Sequence, residues 1–396
     1  MGRETTYGTS PGTLYASRFK DPGVLATLTQ EQLENEGTST REFDALLTVQ
    51  GLKSWTLDAA FDVRPENTQL VTATTPSVSW MTELLYAACG GSSVLAGSLV
   101  VSSTTSSITV TATHGTRFVV GTPIAAQVSG TLEWAIITAI SGDVLTCWPS
   151  FSGAPTITTG LVVNSASNWL TETSSQSLAV TCAQVQSSNA QWTLNCGIIT
   201  ELGLSIPAMG KGLLSGSVKL AGKTWVGPSP QSLGTSVITE VLTNPISCRD
   251  AYFILQPAAT TTRVAYPIIS ADVKLTTGNT HLEEFSGVNE QTSGTMRVAP
   301  RMVGTISLKC RYDQQIETYY AAQTQLVCVL VVPYGSLLTK RFVVLHMGTT
   351  FIDAKPVVAD EGGRLVHQFN LRAQLSTLNA SSTAGTAAAP WVLGRI

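Results

Sequence analysis

Residues 55–63 read Trp55-Thr56-Leu57-Asp58-Ala59-Ala60-Phe61-Asp62-Val63, and they decide the fold class. Trp55, Leu57, Ala59, Phe61 and Val63 alternate with Thr56, Asp58, Ala60, Asp62 and Arg64. A period of two puts the first set on one side of an extended chain, the pattern of a strand with one buried face. The alternation returns in Ile306, Leu308, Cys310 and Tyr312, set against Ser307, Lys309, Arg311 and Asp313. Enrichment in Val, Ile and Thr points the same way. Helical spacing is confined to Ser79–Ala88 and Gln315–Ala322, with a third short helical turn expected at Gln30–Asn35. The predicted class is mostly β.

Working outward, the two strands belong to an internal duplication. Asn35-Glu36-Gly37-Thr38-Ser39 recurs as Asn289-Glu290-Gln291-Thr292-Ser293. Trp55, Leu57 and Ala59 match Leu308, Cys310 and Tyr312, and Gly51 matches Gly304. Tyr86-Ala87-Ala88 matches Tyr320-Ala321-Ala322. Leu194 and Gly197 match Leu345 and Gly348, and Gly212, Leu214, Val218 and Leu220 match Gly363, Leu365, Phe369 and Leu371. The order is the same in both halves. The offset changes sharply between Ala88 and Leu194, which places an insertion in the first copy. That insert carries its own strand series at Ser107–Val110, Phe118–Val120, Trp134–Ile137 and Asp143–Thr146, parted by glycine-containing turns. A small barrel closing its own edges is expected. The organisation read from the chain is a first domain at 1–228 interrupted by a module at 90–172, a second domain at 235–375 and a C-terminal arm at 376–396. Gly227-Pro228-Ser229-Pro230 reads as the linker. The insert is expected to face outward and to be dispensable, because loop-closure cost grows only with the logarithm of length.

Charge and composition narrow the function. Lys and Arg number 23 against 26 Asp and Glu, a net charge of −3, and charged residues are only 12% of the 396. Such a balance gives no general attraction for phosphate. Hydrophobic residues reach 43%, so the chain is not of the disordered class. Ser and Thr number 93. So few charges on a slightly apolar chain suggest surface buried against other subunits. The longest apolar run, Leu326–Val332, stops at Pro333, short of the roughly 20 residues a bilayer span needs. Met1-Gly2-Arg3-Glu4-Thr5 shows no apolar core of a signal peptide. Seven scattered cysteines, an odd number, read as free thiols made in a reducing cytosol.

No catalytic constellation emerges. His114, His281, His346 and His367 have no zinc spacing, and the positions matching His346 and His367 in the first copy are Asn195 and Gly216. Gly210-Lys211-Gly212 lacks the rest of a phosphate loop. No catalytic, cofactor or metal residue is assigned, and no cofactor is expected. One polar cluster stands out in each copy. Glu34, Asn35, Glu36, Thr38 and Arg41 precede the first long strand, and Glu283, Glu284, Asn289, Glu290 and Thr292 precede its counterpart. The plain reading is a solvated loop; the functional one is a projecting segment that contacts another subunit or ring and sets register.

The opening Glu4-Thr5-Thr6-Tyr7-Gly8-Thr9-Ser10-Pro11, the segment Gly51–Val63 and the run Gly197–Lys223 (GIITELGLSIPAMGKGLLSGSVKLAGK) resemble the tail tube proteins of long-tailed bacteriophages. The resemblance implies two tandem β-sandwich or half-barrel tube domains, each with one short helix, plus an inserted small β-barrel. It implies a non-enzymatic virion protein of the tail, assembled in the bacterial cytoplasm. Single-domain tubes of this kind are hexameric rings, so a tandem copy implies homotrimeric rings with pseudo-sixfold symmetry. The implied partners are the chain itself, a tape measure protein and tail terminator and tip proteins. Viral DNA would pass along the lumen without specific binding, and no membrane is involved. Two readings from other classes compete: a tail-tip or fibre adhesin, and a carbohydrate-binding or carbohydrate-active β protein with Trp134, Trp148 and Trp169 as exposed platforms.

Overall fold

The computed structural model describes the chain except residues 5–6, 18, 21–25, 35–47, 65–79, 94–96, 171–178, 188–189, 208–211, 230–236, 239–243, 258–259, 261–263, 283–293, 298–303, 336–339 and 375–390. The first half runs β1 (Gly2–Arg3), β2 (Leu14–Tyr15), β3 (Thr27–Glu34), β4 (Thr48–Asp62), helix α1 (Trp80–Cys89) and β5 (Gly90–Ser93). The insert follows as β6 (Ser98–Ser103), β7 (Ser107–Val110), β8 (Pro123–Val128), β9 (Thr131–Ser141), β10 (Val144–Trp148) and β11 (Leu161–Asn164). The first half resumes with β12 (Ala166–Leu170), β13 (Ala179–Ser187), β14 (Ala190–Ile206), β15 (Ser215–Gly222) and β16 (Thr224–Ser229). After β17 (Val237–Ile238) come β18 (Tyr252–Pro257), β19 (Ala265–Thr276), β20 (Asn279–Leu282), β21 (Gly294–Arg297) and β22 (Gly304–Arg311). Helix α2 (Gln314–Ala321) leads into β23 (Leu326–Tyr334), β24 (Arg341–Ile352), β25 (Val357–Asp360), β26 (Leu365–Ala373) and β27 (Val392–Arg395). The protein is mostly β, with large sheets and a closed six-stranded barrel.

The same topology occurs in both halves. In the first, β1 pairs β13, β13 pairs β14, β14 pairs β15, β15 pairs β4 and β4 pairs β3, all antiparallel. In the second, β18, β23, β24, β26, β22 and β19 pair in that order, again antiparallel. A helix follows β4 in one half and β22 in the other. Pairing corrects the residue correspondence of the first strand. Leu57 lies opposite Leu220 and Ile306 opposite Leu371, so Leu57 corresponds to Ile306 rather than to Cys310. A slip of an even number of residues keeps every side chain on its own face, so alternation cannot detect it.

The alternating faces make one core. Trp55, Leu57, Ala59, Phe61, Val218 and Leu220 are buried in it with Ile306, Leu308, Phe369 and Leu371. Helix α1 contributes Trp80, Leu84, Leu85, Ala87 and Ala88, whereas α2 buries only Ile316 and is N-capped by Asp313, whose carboxylate accepts the Gln315 N–H at 2.8 Å. Burying such a side chain contributes roughly 1.5–3 kcal/mol each. The run Leu326–Val332 is apolar throughout because both faces of β23 are covered. Leu326, Cys328, Leu330 and Val332 face the main core, while Val327, Val329 and Val331 face a second one.

That second core is where the insert docks. Ala125, Trp134 and Ile136 on the barrel's outer face pack against Ile254, Val329, Val331, Phe342 and Val344 of the second half. Trp134 Nε1 donates to the Tyr252 hydroxyl at 2.7 Å, and Trp148 Nε1 donates to Thr260 O at 2.9 Å. The insert is therefore attached to the second copy and is not the free outward module that the sequence suggests. Three local expectations also change. Thr27–Glu34 is a strand where Gln30–Asn35 was expected to turn helically, because it pairs with β4. Phe118–Val120 is not a strand but follows a short 3-10 turn at His114–Arg117. Gly227–Ser229 belongs to β16, paired with β14, and is not the linker that the sequence suggests; Pro230 lies outside the described residues. Residues 376–390 of the expected arm lie outside the described residues, and Val392–Arg395 is a buried strand held between β24 and β12.

Candidate functional site

Among the described residues no three His, Cys, Asp or Glu side chains come together in a way that could hold a metal ion. All seven cysteines are free and buried. Desolvation pushes the thiols of Cys147, Cys310 and Cys328 up to about 12 and those of Cys182 and Cys248 to about 11, so none of these five is a thiolate nucleophile near neutral pH. The histidines hold elements together. His281 Nδ1 meets the Tyr7 hydroxyl at 2.8 Å, tying the N-terminal segment to the second half. His346 Nδ1 meets Gly121 O at 3.3 Å, tying β24 to the insert. Tyr312 covers His367, whose ring accepts the Asp313 N–H at 3.2 Å.

Sequence reasoning missed Glu4. Its carboxylate is buried and accepts from Gly8 N at 2.6 Å, Cys196 N at 2.8 Å and Thr181 Oγ1 at 3.0 Å. Desolvation raises its pKa, and those hydrogen bonds oppose the rise. The group ties Glu4 and Gly8 to Thr181 of β13 and Cys196 of β14. A lone acidic residue beside a Gly-containing turn carries no sequence signal for that role.

Of the residues picked from the sequence, Glu34 closes β3, with its side chain not described. Asn35, Glu36, Thr38, Arg41, Glu283, Glu284, Asn289, Glu290 and Thr292 lie outside the described residues. The strands that carry the two segments are described. Glu34 is opposite Thr48, and Leu282 is opposite Gly294, so each segment connects the ends of an antiparallel pair. The proposed aromatic platform loses Trp134, which is fully buried; Trp148 is half-buried with its N–H bonded, and the Trp169 side chain is not described.

What remains is a surface of sheet edges, and one edge is already used inside the chain. Residues Glu201–Ile206 of β14 pair with β15 on one side and with Ala271–Thr276 of β19 on the other. The sheet thus runs without a break from the first half into the second. Ion pairs line the joint: Glu201 meets Lys274 at 3.0 Å and Lys219 at 3.6 Å. Burial pushes the Glu201 carboxyl up, but the two ammonium groups outweigh it and hold it below the usual carboxylate range. Ser205 Oγ donates to Asp272 at 2.6 Å. At the far end, β25 pairs only with β26 among the described strands, and β3 only with β4. Comparison of the chain with family models and with curated proteins returns no match.

Proposed function

We propose that this chain is a structural virion protein, a tail tube subunit that assembles into trimeric rings stacked as a DNA-conducting tube. The observation that carries the reading is the sheet continuing from one half into the other through β14 and β19. Two units of like topology joined edge to edge are the repeat of a ring whose next joints lie between chains. An open edge on an isolated subunit would promote uncontrolled pairing, and ring closure removes it. A net charge of −3 and 93 Ser and Thr residues suit a corridor that does not retain DNA. Tape measure, terminator and tip proteins would be its partners in the tail.

Negative-stain microscopy of the purified full chain tests this. Tubes or stacked rings with a central channel are expected. Compact trimers that bind glycans, with no rings at any concentration, would replace this reading with that of a tail-tip adhesin.

A further inference from the structure

We propose that the edge at Lys355–Val358, which leads into β25, pairs antiparallel with Ala26–Thr29 at the start of β3 of a second copy, with Val357 opposite Thr27. The inference rests on the ring reading above for its occupant, and on the joint between the halves for its geometry.

The two halves supply a template and a vacancy. Within the chain, β14 donates the edge Glu201–Ile206 and β19 accepts it. The second half's counterpart of that edge is β25. Gly203 and Leu204 lie opposite Ser217 and Gly216 of β15, and Val357 and Val358 lie opposite Gln368 and His367 of β26. The first half's counterpart of β19 is β3. Lys274 and Leu275 lie opposite Thr305 and Gly304, and Thr27 and Leu28 lie opposite Thr56 and Trp55. In the joint Gly203 faces Lys274 and Leu204 faces Val273. Carrying that register across puts Val357 opposite Thr27 and Val358 opposite Ala26.

Exposure marks the same edge. Val357 and Val358 of β25 are 60% and 42% exposed, one on each face, and Leu365 at the start of the paired β26 is 54% exposed, so apolar side chains lie uncovered beside this edge. Leu214, which matches Leu365, is 1% exposed, and the residue bonded to its N–H is Ile246, from the start of the second half. So the first half's edge is covered by the unit that follows it, while among the described residues no following unit covers the second half's edge. On the receiving side, β3 pairs only with β4 among the described strands, and Ala26 N–H donates to a side chain, Gln184 Oε1 at 2.9 Å, which an incoming strand would have to displace. The contact uses different patches on the two partners. It is therefore a head-to-tail contact, which closes a ring or runs on as a filament.

Disulfide trapping of the full chain tests the pairing. Opposed residues of an antiparallel pair have Cα atoms about 4.5–5.5 Å apart, within the reach of a disulfide. Thr27 and Val357 are exposed, and the seven native thiols are buried, so Thr27→Cys and Val357→Cys leave the fold and the native cysteines out of the reaction. Circular dichroism matching the parent confirms that each variant is folded. Mild oxidation of the double variant should give a non-reducing ladder that ends at the closed ring. Each single variant should remain uncrosslinked, whereas mixing the two should give dimers. Dimers from Val357→Cys alone would mean β25 pairing with β25 and would overturn the inference. Tubes that form without crosslinks from this pair, or from Thr27→Cys with Val358→Cys, would overturn it and leave the tube reading standing. A ladder without tubes would support the contact and refute the tube. No association under any condition would remove both.

Discussion

Gly222→Ala should be among the most damaging single-methyl additions in this chain. Trp55 is fully buried, with its indole against Gly222 on one strand and Gly197 on another. A Cβ at Gly222 would lie 2.0 Å from Cε2 and 2.1 Å from Nε1 of that ring. Carbon contacts are comfortable at about 3.5–4.0 Å, so the ring must move by more than an ångström. It is also tethered, because Trp55 Nε1 donates to Asn195 O at 2.9 Å. Overpacking of a core typically costs about 1–3 kcal/mol. Displacing the indole leaves a buried donor unpaired, another cost of about 1–3 kcal/mol. Reduced freedom of the unfolded chain returns about 0.4–1 kcal/mol. The net expectation is a loss of about 1–6 kcal/mol, a large share of the 5–15 kcal/mol typical of a domain. Urea unfolding followed by tryptophan fluorescence would measure it. Replacing the ring in the same background, Gly222→Ala with Trp55→Leu, should cost less than the two single changes added together. A Gly222→Ala protein within about 0.5 kcal/mol of the parent, or strict additivity in the pair, would refute the packing argument.

Four further outcomes are expected. His346 is buried and neutral, its pKa lowered by desolvation to about 4, although its bond to Gly121 O works the other way. Protons then bind the unfolded chain in preference between the ordinary His pKa and that value. Stability should therefore be full above pH 6.5 and fall by roughly 3 kcal/mol as the pH drops to 4, a loss absent in His346→Gln when urea midpoints are compared. Replacing residues 98–164 by a short Gly/Ser bridge should expose Ile254, Val329, Val331, Phe342 and Val344, raising hydrophobic-dye binding and causing aggregation; a monodisperse, dye-silent product would show that the insert is dispensable after all. Removing 391–396 takes away the buried Trp391, Val392, Leu393 and Ile396, about 6–12 kcal/mol of burial, so soluble yield should collapse. Glu36→Lys with Glu290→Lys should lower polymer yield at low salt and less so at 1 M, where screening shortens to about 3 Å; normal sedimentation of polymer at low salt would make those segments ordinary loops.

Alternation made the strands around Trp55 and Ile306 readable, because each has one buried face and one wet face. The two helices were readable for a similar reason, within a residue or two of their ends. Leu326–Val332 was recognisable only as apolar, since a strand covered on both sides loses its period and says nothing about what covers it. The docking of the insert rests on Trp134, Ile136 and Val344, which are apolar residues like any others until the fold brings them together. Gln30–Glu34 misled because its polar, helix-favouring residues sit on a strand whose place is set by β4. The joint through β14 and β19 is made of backbone hydrogen bonds, which carry no residue signature at all. The segments around Glu36 and Glu290 were legible as a repeat in the chain alone.

Both ends of the described chain are held by partners distant in sequence: Gly2 lies opposite Thr181, and Arg395 lies opposite Ala166 and Val343. Hairpins such as β8–β9 and β23–β24 need only short loops to close and can form early. The terminal strands must wait until remote partners are in place, and long-range pairing of this kind slows folding. Until β27 is seated, β24 and β12 each lack a neighbour, and the apolar residues Val343–Leu345 lie beside an unfilled slot. Seating this one short strand is therefore expected to be a late, localised step that covers apolar surface left open until then. Any synthetic peptide matching residues 391–396 should compete for that slot during refolding and not afterwards.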